Sequence, residues 1–119
     1  MTNQITDLEK IRALNDRCRV GLDRHARILV TASCLAALSR GDTVVEQIAA
    51  QAALMAAIGR YSFTDDDDPE HGRGQIKIDD TTVRFKIDYY DLTLEWGSED
   101  PANPAVTRRV LTIMLPEDD

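Results

Sequence analysis

Residues 83–90 read Val-Arg-Phe-Lys-Ile-Asp-Tyr-Tyr, so apolar side chains alternate with polar ones along the stretch. This period of two is typical of a β-strand that has one face in the hydrophobic core and the other in solvent. The same alternation runs over residues 75–79, and a short Asp-rich turn separates the two stretches. An antiparallel hairpin is therefore predicted, with Arg84, Lys86, Asp88 and Tyr90 on the face opposite the core.

Two more strands are predicted outside this hairpin. Residues 107–115 are predicted to be the last strand, and their apolar side chains Val110, Leu111, Ile113, Met114 and Leu115 are nearly continuous, which indicates a central strand that is covered on both faces. Residues 27–32 are a short run rich in β-branched side chains, and we interpret them as a strand. A helix is the main alternative there, because residues 33–38 favour a helix.

Two helices are predicted in the N-terminal half. Thr6 and Thr43 are each followed three residues later by a glutamate, which is the spacing of a capping box. We therefore expect helices over residues 7–20 and 44–58. The buried face of the second helix is predicted to contain its apolar side chains Ile48, Ala52, Leu54, Met55 and Ile58.

Together these elements predict an α+β fold, in which an antiparallel sheet of three to four strands carries two main helices on one face. The 119 residues fit one domain, 1–119. The helical half, 1–60, has eight Lys and Arg against six Asp and Glu, a net +2. The β-rich half, 61–119, has six against fifteen, a net −9, which gives −7 for the chain. Such an asymmetry bears on the partners of a protein, because an acidic half attracts basic protein surfaces and repels nucleic acid and anionic membranes.

The sequence also bears on location and cofactors. No apolar run approaches the roughly 20 residues that span a bilayer, and the N-terminus has no signal-peptide pattern, so we expect a cytoplasmic protein. Cys18 and Cys34 are expected to be reduced, buried residues. We predict no cofactor, no bound metal and no enzymatic activity.

The most conspicuous polar cluster is the run of four aspartates at 65–68, followed by Glu70 and His71. Three interpretations stay open: a solvated loop, an acidic surface that faces a partner, and a metal site, although the spacing differs from that of a calcium loop. As a catalytic alternative, His71 would be a general base oriented by Asp88 or Asp91.

A second cluster, residues 89–96, places aromatic side chains beside carboxylates. Tyr and Trp are preferred anchors at protein interfaces, so this cluster is a candidate binding surface. The alternative is that Tyr89 and Trp96 belong to the core, while Tyr90 only half covers the sheet.

Several strings of the chain resemble a family of uncharacterised domains. They are KIDYYD at 86–91, GSEDP at 97–101, RVLTIML at 109–115, the loop 63–71, and ALND at 13–16. The chain is similar to a domain-of-unknown-function family of small proteins, found mostly in alphaproteobacteria and often on plasmids, phages or other mobile elements. This resemblance implies a bacterial origin and a shared fold, but no established activity. The family loop usually has two residues between Asp-Pro and Glu-His-Asp, whereas Glu70 here follows Pro69 directly.

The charge asymmetry favours a small acidic binding or inhibitor protein that docks on a basic, nucleic-acid-binding partner and imitates the charge of a nucleic-acid backbone. Anti-CRISPR proteins are comparable in size and charge, and the CRISPR effector complex that they inhibit holds nucleic acid in a positive channel. We expect no direct contact with nucleic acid or membrane, and a monomer or homodimer. The predicted contacts are Asp65, Asp66, Asp67, Asp68, Glu70, Tyr90, Asp91, Glu95, Glu99 and Asp100. The alternatives are a metal-assisted hydrolase or nuclease that uses the Asp-rich loop, and a structural oligomerisation module.

Overall fold

The computed structural model describes residues 5–64 and 67–119 of the chain, and within these ranges it contains three α-helices and four β-strands. In chain order they are α1 (Asp7–Arg19), β1 (Arg27–Val30), α2 (Ala32–Leu38), α3 (Val44–Gly59), β2 (Arg73–Ile78), β3 (Thr81–Tyr90) and β4 (Arg108–Met114), followed by a 3₁₀ turn at Pro116–Asp118.

The four strands form one sheet in the order β1-β4-β3-β2. The predicted hairpin is confirmed as the antiparallel pair of β2 and β3, and β4 occupies the predicted central position. The prediction of an antiparallel sheet is wrong at one edge, because β1 pairs with β4 in the parallel direction. Parallel neighbours need a long crossover connection. Here that connection contains α2, α3 and the hairpin, and the composition of residues 27–30 carries no signal of strand direction.

The helices begin where the threonine caps were predicted. The Oγ1 atoms of Thr6 and Thr43 each accept a hydrogen bond of 3.2 Å from the backbone N–H three residues later. The described ranges contain three α-helices where two were predicted. Thr31 ends the β1 segment and caps α2, since its Oγ1 accepts from the backbone N–H of Cys34 at 3.3 Å. Residues 27–32 therefore contain both the predicted strand and the start of a helix.

The hydrophobic core lies between the helices and one face of the sheet. Val83, Phe85 and Ile87 of β3 are buried against Leu54 and Ile58 of α3 in a cluster that also includes Leu111, Ile113 and both cysteines. Cys18 and Cys34 are free thiols and are buried, as predicted. Burial raises the pKa of the Cys18 thiol to about 12.

Only the C-terminal part of α3 packs in this core. Leu54 and Ile58 are fully buried, whereas Ile48 is 62% exposed. The predicted burial of Ile48 and Ala52 is wrong, since the first turns of the helix carry apolar side chains that nothing in the described ranges covers. In residues 5–64 and 67–119, none of the helices combines the length and the apolar character needed to cross a membrane.

Candidate functional site

Most of the predicted contact residues lie in two loops at the same end of the sheet, and Tyr90 is the last residue of β3. The first, here the 67–72 loop, leads into β2, and the second, the 91–106 loop, joins the end of β3 to the start of β4. Because β3 runs antiparallel to both neighbours, its C-terminal end meets the beginnings of β2 and β4. Two of the predicted contacts, Asp65 and Asp66, lie outside the described residues.

In the 67–72 loop, the carboxylates hold the backbone. Asp67 accepts hydrogen bonds from the Thr64 backbone N–H at 2.7 Å and from the Tyr61 hydroxyl at 3.2 Å. The bonds from Thr64, more than that from Tyr61, lower the pKa of Asp67. Asp68 accepts from the backbone N–H groups of Glu70 at 3.1 Å and Gly72 at 3.0 Å. Both carboxylates therefore accept hydrogen bonds from within the protein, which leaves fewer of their lone pairs for a partner.

Beneath this loop lies a buried polar network centred on Asn15. The side-chain Nδ2 of Asn15 donates to the Tyr89 hydroxyl at 2.7 Å and to the Glu70 carbonyl at 3.0 Å. Its Oδ1 accepts from Nε of Arg109 at 2.7 Å. The Tyr89 hydroxyl in turn donates to Oε1 of Glu70 at 2.6 Å. Burial, together with the carboxylate of Glu70, raises the pKa of Tyr89, so its hydroxyl remains a protonated donor.

His71 has a different partner from the two that the sequence suggested. Its Nδ1 lies 2.9 Å from Oδ1 of Asp16, and neither Asp88 nor Asp91 takes that position. Arg19 donates to the same Asp16 oxygen at 2.7 Å. The imidazole stacks on Phe63, with the ring centroids 4.1 Å apart and the planes 3° from parallel. The sequence contains no indication that Asp16 is the partner of His71, apart from its position in the ALND string that resembles the family.

These contacts clamp His71 between a carboxylate and an aromatic ring. Its backbone has φ 59°, a left-handed conformation that a residue with a side chain adopts only when its surroundings enforce it. Among the described residues, no group of three or more His, Cys, Asp or Glu side chains could hold a metal ion. The arrangement orients an imidazole and fixes the loop.

The 91–106 loop is fixed by its own hydrogen bonds. Oδ1 of Asp91 accepts from the Thr93 hydroxyl at 2.9 Å and from the Glu95 backbone N–H at 3.1 Å, and the Asp91 N–H donates to the Trp96 carbonyl at 2.8 Å. Desolvation raises the pKa of Asp91, but the hydrogen bonds to its carboxylate together outweigh it and lower the pKa. Leu94 is held at φ 63°, another left-handed position.

The second half of this loop is tied to the Asn15 network. Thr107, which is buried, donates from its hydroxyl to the Asp100 carbonyl at 2.7 Å. Nη2 of Arg109 donates to the Pro101 carbonyl at 2.6 Å. Because Arg109 also binds Asn15, the two loops and α1 are joined through one buried guanidinium. Burial lowers the pKa of this guanidinium.

On this fixed loop, apolar and acidic side chains are exposed together. Trp96 is 71% exposed, Leu92 58% and Val106 43%. The alternative that placed Trp96 in the core is therefore wrong, whereas Tyr89 is half-buried and packs against the core. Glu95, Glu99 and Asp100 are exposed beside them. A groove of about 500 Å³ is lined by Asp91, Trp96, Gly97, Glu99, Asp100, Asn103 and Val106.

The arrangement offers an aromatic anchor surrounded by negative charge. A Trp side chain contributes a large apolar contact area, and adjacent carboxylates attract and orient a cationic partner. Tyr90, the remaining predicted contact, is half-buried on the face of the sheet away from the helices. The predicted contacts are thus divided: Asp67, Asp68, Glu70 and Asp91 hold loops in place, and Glu95, Glu99 and Asp100 face solvent.

The chain matches a family model described as a protein of unknown function, DUF3768, over residues 31–118. The matched range contains both loops and the whole hairpin, while α1, with Asn15 and Asp16, lies outside it. No curated protein and no solved structure matches the chain.

Proposed function

The chain belongs to the DUF3768 family of proteins of unknown function, and we propose that it is a binding protein that docks on a basic partner through the 91–106 loop. The observation that supports this proposal is the exposure of Trp96 on a loop whose backbone is fixed by hydrogen bonds. Three exposed carboxylates, Glu95, Glu99 and Asp100, flank this side chain.

An exposed tryptophan on a rigid loop suits an interface. Trp is enriched among the residues that dominate binding energy, usually at the centre of a contact that excludes water. A fixed loop loses little conformational freedom on binding, so more of the contact energy appears as affinity. The left-handed backbone at Leu94 supports the same interpretation, because strained conformations concentrate at binding sites.

The proposed contact surface is narrower than the set predicted from the sequence. Asp67, Asp68 and Glu70 accept hydrogen bonds within the protein, so they contribute to the negative field more than to direct contact. Direct contacts are assigned to Trp96 and to the exposed carboxylates of the 91–106 loop.

The class of partner follows from charge complementarity. A basic surface that holds nucleic acid attracts carboxylates arranged around an aromatic anchor, and such a contact would block the nucleic-acid channel. The resemblance to a family carried by mobile elements of alphaproteobacteria suits a counter-defence role. In its most specific form, the proposal is an anti-CRISPR protein that binds a CRISPR effector complex.

The test measures binding of purified variants to immobilised nucleic-acid-binding complexes, including a guide-loaded Cas9-type effector, by biolayer interferometry. Trp96→Ala and the double variant Glu95→Lys/Glu99→Lys should each weaken binding at least about tenfold. The matched control is Asp42→Lys/Glu117→Lys, which changes the net charge equally at exposed sites outside the loop.

The control should bind within about twofold of the unchanged protein, since rim charges far from a contact act only through the screened field. Circular dichroism of each variant checks that the fold is retained. Binding that neither loop variant weakens would refute the 91–106 loop as the docking surface. Equal weakening by the control would mean that only the total charge matters.

A second candidate function, an oligomerisation module, rests on a different surface. The first turns of α3 expose Val44, Val45 and Ile48 by 70%, 76% and 62%. Exposed apolar side chains on one helix are typical of contacts between protein chains. Light scattering at several concentrations tests this: a dimer that Val45→Lys converts to a monomer supports the candidate, and a monomer at every concentration contradicts it.

A further inference from the structure

The face of the sheet opposite the helices, here called the open sheet face, is basic. Side chains alternate along each strand, and those of Val83, Phe85 and Ile87 point into the core. The strand register then assigns the other residues to the open face: Arg27 and Leu29 of β1, Arg73, Gln75 and Lys77 of β2, Thr82, Arg84, Lys86, Asp88 and Tyr90 of β3, and Arg108, Val110, Thr112 and Met114 of β4. Six of these are Lys or Arg, and only Asp88 is acidic.

The cations are neighbours across the strands. Arg73 pairs directly with Lys86, and Arg84 pairs with Gln75, to which its Nε donates a hydrogen bond of 2.9 Å. Arg84 and Lys86 are two residues apart on one strand, which places them roughly 7 Å from each other on the same face. Met114, opposite Arg84, is only 3% exposed, as expected when aliphatic stems of long basic side chains cover a sheet.

An anionic group already lies between two of these cations. The Asp119 carboxylate approaches Nη1 of Arg84 at 3.5 Å with one oxygen and Nζ of Lys86 at 3.6 Å with the other. Asp119 lines a groove of about 540 Å³ together with the cations Arg73, Arg84 and Lys86 and the carboxylates Asp67 and Asp68. The position thus accepts an oxyanion in contact with two cations at once.

We propose that the open sheet face binds single-stranded nucleic acid, with a phosphate replacing the Asp119 carboxylate between Arg84 and Lys86. Single-strand binding surfaces combine cations that follow the backbone with aromatic side chains on which bases stack. Tyr90, on the same face and opposite Arg108, supplies the aromatic side chain. The proposal uses other residues than the 91–106 loop and does not depend on that loop's function.

The net charge of −7 opposes any polyanion at long range, which is why the sequence alone disfavours nucleic acid. At physiological ionic strength, however, charges are screened over about 8 Å, so a ligand on the sheet responds mainly to the charges near it. The exposed carboxylates of the 91–106 loop follow the end of β3, away from Arg84. The local field at Arg84 and Lys86 is set by the neighbouring cations, by Asp119, and by the Asp67 and Asp68 carboxylates that line the same groove.

The experiment follows the anisotropy of a labelled oligothymidine, about 20 nucleotides long, titrated with the full chain at about 50 mM salt. The double variant Arg84→Gln/Lys86→Gln should weaken binding at least about fivefold. The slope of log K against log salt should become shallower by about 0.7, because the two cations share one phosphate and each neutralised single-strand phosphate contributes about 0.7.

Asp119→Asn should act in the opposite direction and tighten binding roughly two- to fivefold, because it removes the competing carboxylate. Glu117→Gln is the matched control: it removes the same charge from a neighbouring exposed residue that, unlike Asp119, forms no ion pair with Arg84 or Lys86, and it should change the affinity less than Asp119→Asn.

Three outcomes would overturn the proposal. One is a dissociation constant weaker than about 100 µM for the unchanged chain, which is weaker than proteins typically show even for binding that ignores the nucleotide sequence. Another is an unchanged affinity in the Arg84→Gln/Lys86→Gln variant with its fold intact by circular dichroism. The third is equally tight binding of polyglutamate or of phosphatidylserine vesicles, which would mean that the face binds anions of any class.

Discussion

Replacing Asn15 by alanine should destabilise the protein more than any exposed substitution of similar size. Asn15 is completely buried, and its side chain forms three hydrogen bonds that join α1 to the 67–72 loop, β3 and β4. Alanine cannot replace any of them. The Arg109 Nε would then be a buried charged donor without its partner.

The magnitude follows from the kinds of bond that are lost. A hydrogen bond between neutral groups contributes roughly 1 kcal/mol, and one to a charged group about 2 kcal/mol or more. With two of the first kind and one of the second, we expect the free energy of unfolding to fall by about 4 kcal/mol. This is a large part of the roughly 5–15 kcal/mol that stabilises a typical domain.

Urea unfolding followed by far-UV circular dichroism measures this change, provided that the dependence on denaturant is the same in both proteins. Asn103→Ala is the control, since that side chain lies in a partly exposed turn and accepts one hydrogen bond, from the Ala105 N–H at 2.9 Å. It should cost about 1 kcal/mol. A loss below about 1 kcal/mol for Asn15→Ala would refute the view that the network holds the loops in place.

Two further predictions concern the core. Gly74→Ala should destabilise the protein by about 1–3 kcal/mol in the same urea assay, because the added Cβ would lie 2.5 Å from the buried Phe85 ring. Gly97→Ala is the control and should cost less, since its added Cβ would have no neighbouring atom closer than 3.9 Å. Equal losses of stability in the two variants would contradict this explanation. The Cys18 thiol has a pKa of about 12 in the folded state against 9.0 in the unfolded state, so between these pH values the unfolded chain loses the proton and the folded chain keeps it. The stability contributed by the protonated thiol is therefore complete below about pH 9 and is lost progressively as the pH rises to about 12. Urea unfolding measures the free energy of unfolding at about pH 8 and at about pH 10.5. The loss of stability between these two pH values should be about 1–2 kcal/mol smaller in Cys18→Ala than in the unchanged protein, and equal losses would contradict this prediction.

Local patterns predicted most of the helices and strands. The threonine caps at Thr6 and Thr43 and the alternation in β2 and β3 depend on residues a few positions apart, so a linear sequence contains all the information needed. The third helix was missed because Thr31 both ends a strand and caps α2. The exposure of Ile48 was missed because the helical periodicity of a segment does not indicate how far the sheet beneath it extends.

The candidate site was only partly predictable for the same reason. The acidic and aromatic residues of the 91–106 loop are adjacent in the chain, so their association could be inferred from the sequence. The contact of His71 with Asp16 joins residues 55 positions apart, and the link from Asn15 to Arg109 joins residues 94 apart. Only the packing of α1 against β4 and against the 67–72 loop brings such groups together.

The sequence by itself determined the class of the fold, the alternation that gives β2 and β3 a buried face and a more exposed one, and the excess of carboxylates in residues 61–119. The tertiary structure decided which strands are neighbours and in which direction they run. This placed cations from four separate strands on one open face, while the exposed carboxylates of the 91–106 loop lie at the end of the sheet. Net charge adds over the chain whatever its conformation, but the field that a partner meets depends on distance, and distances between strands are set by long-range packing.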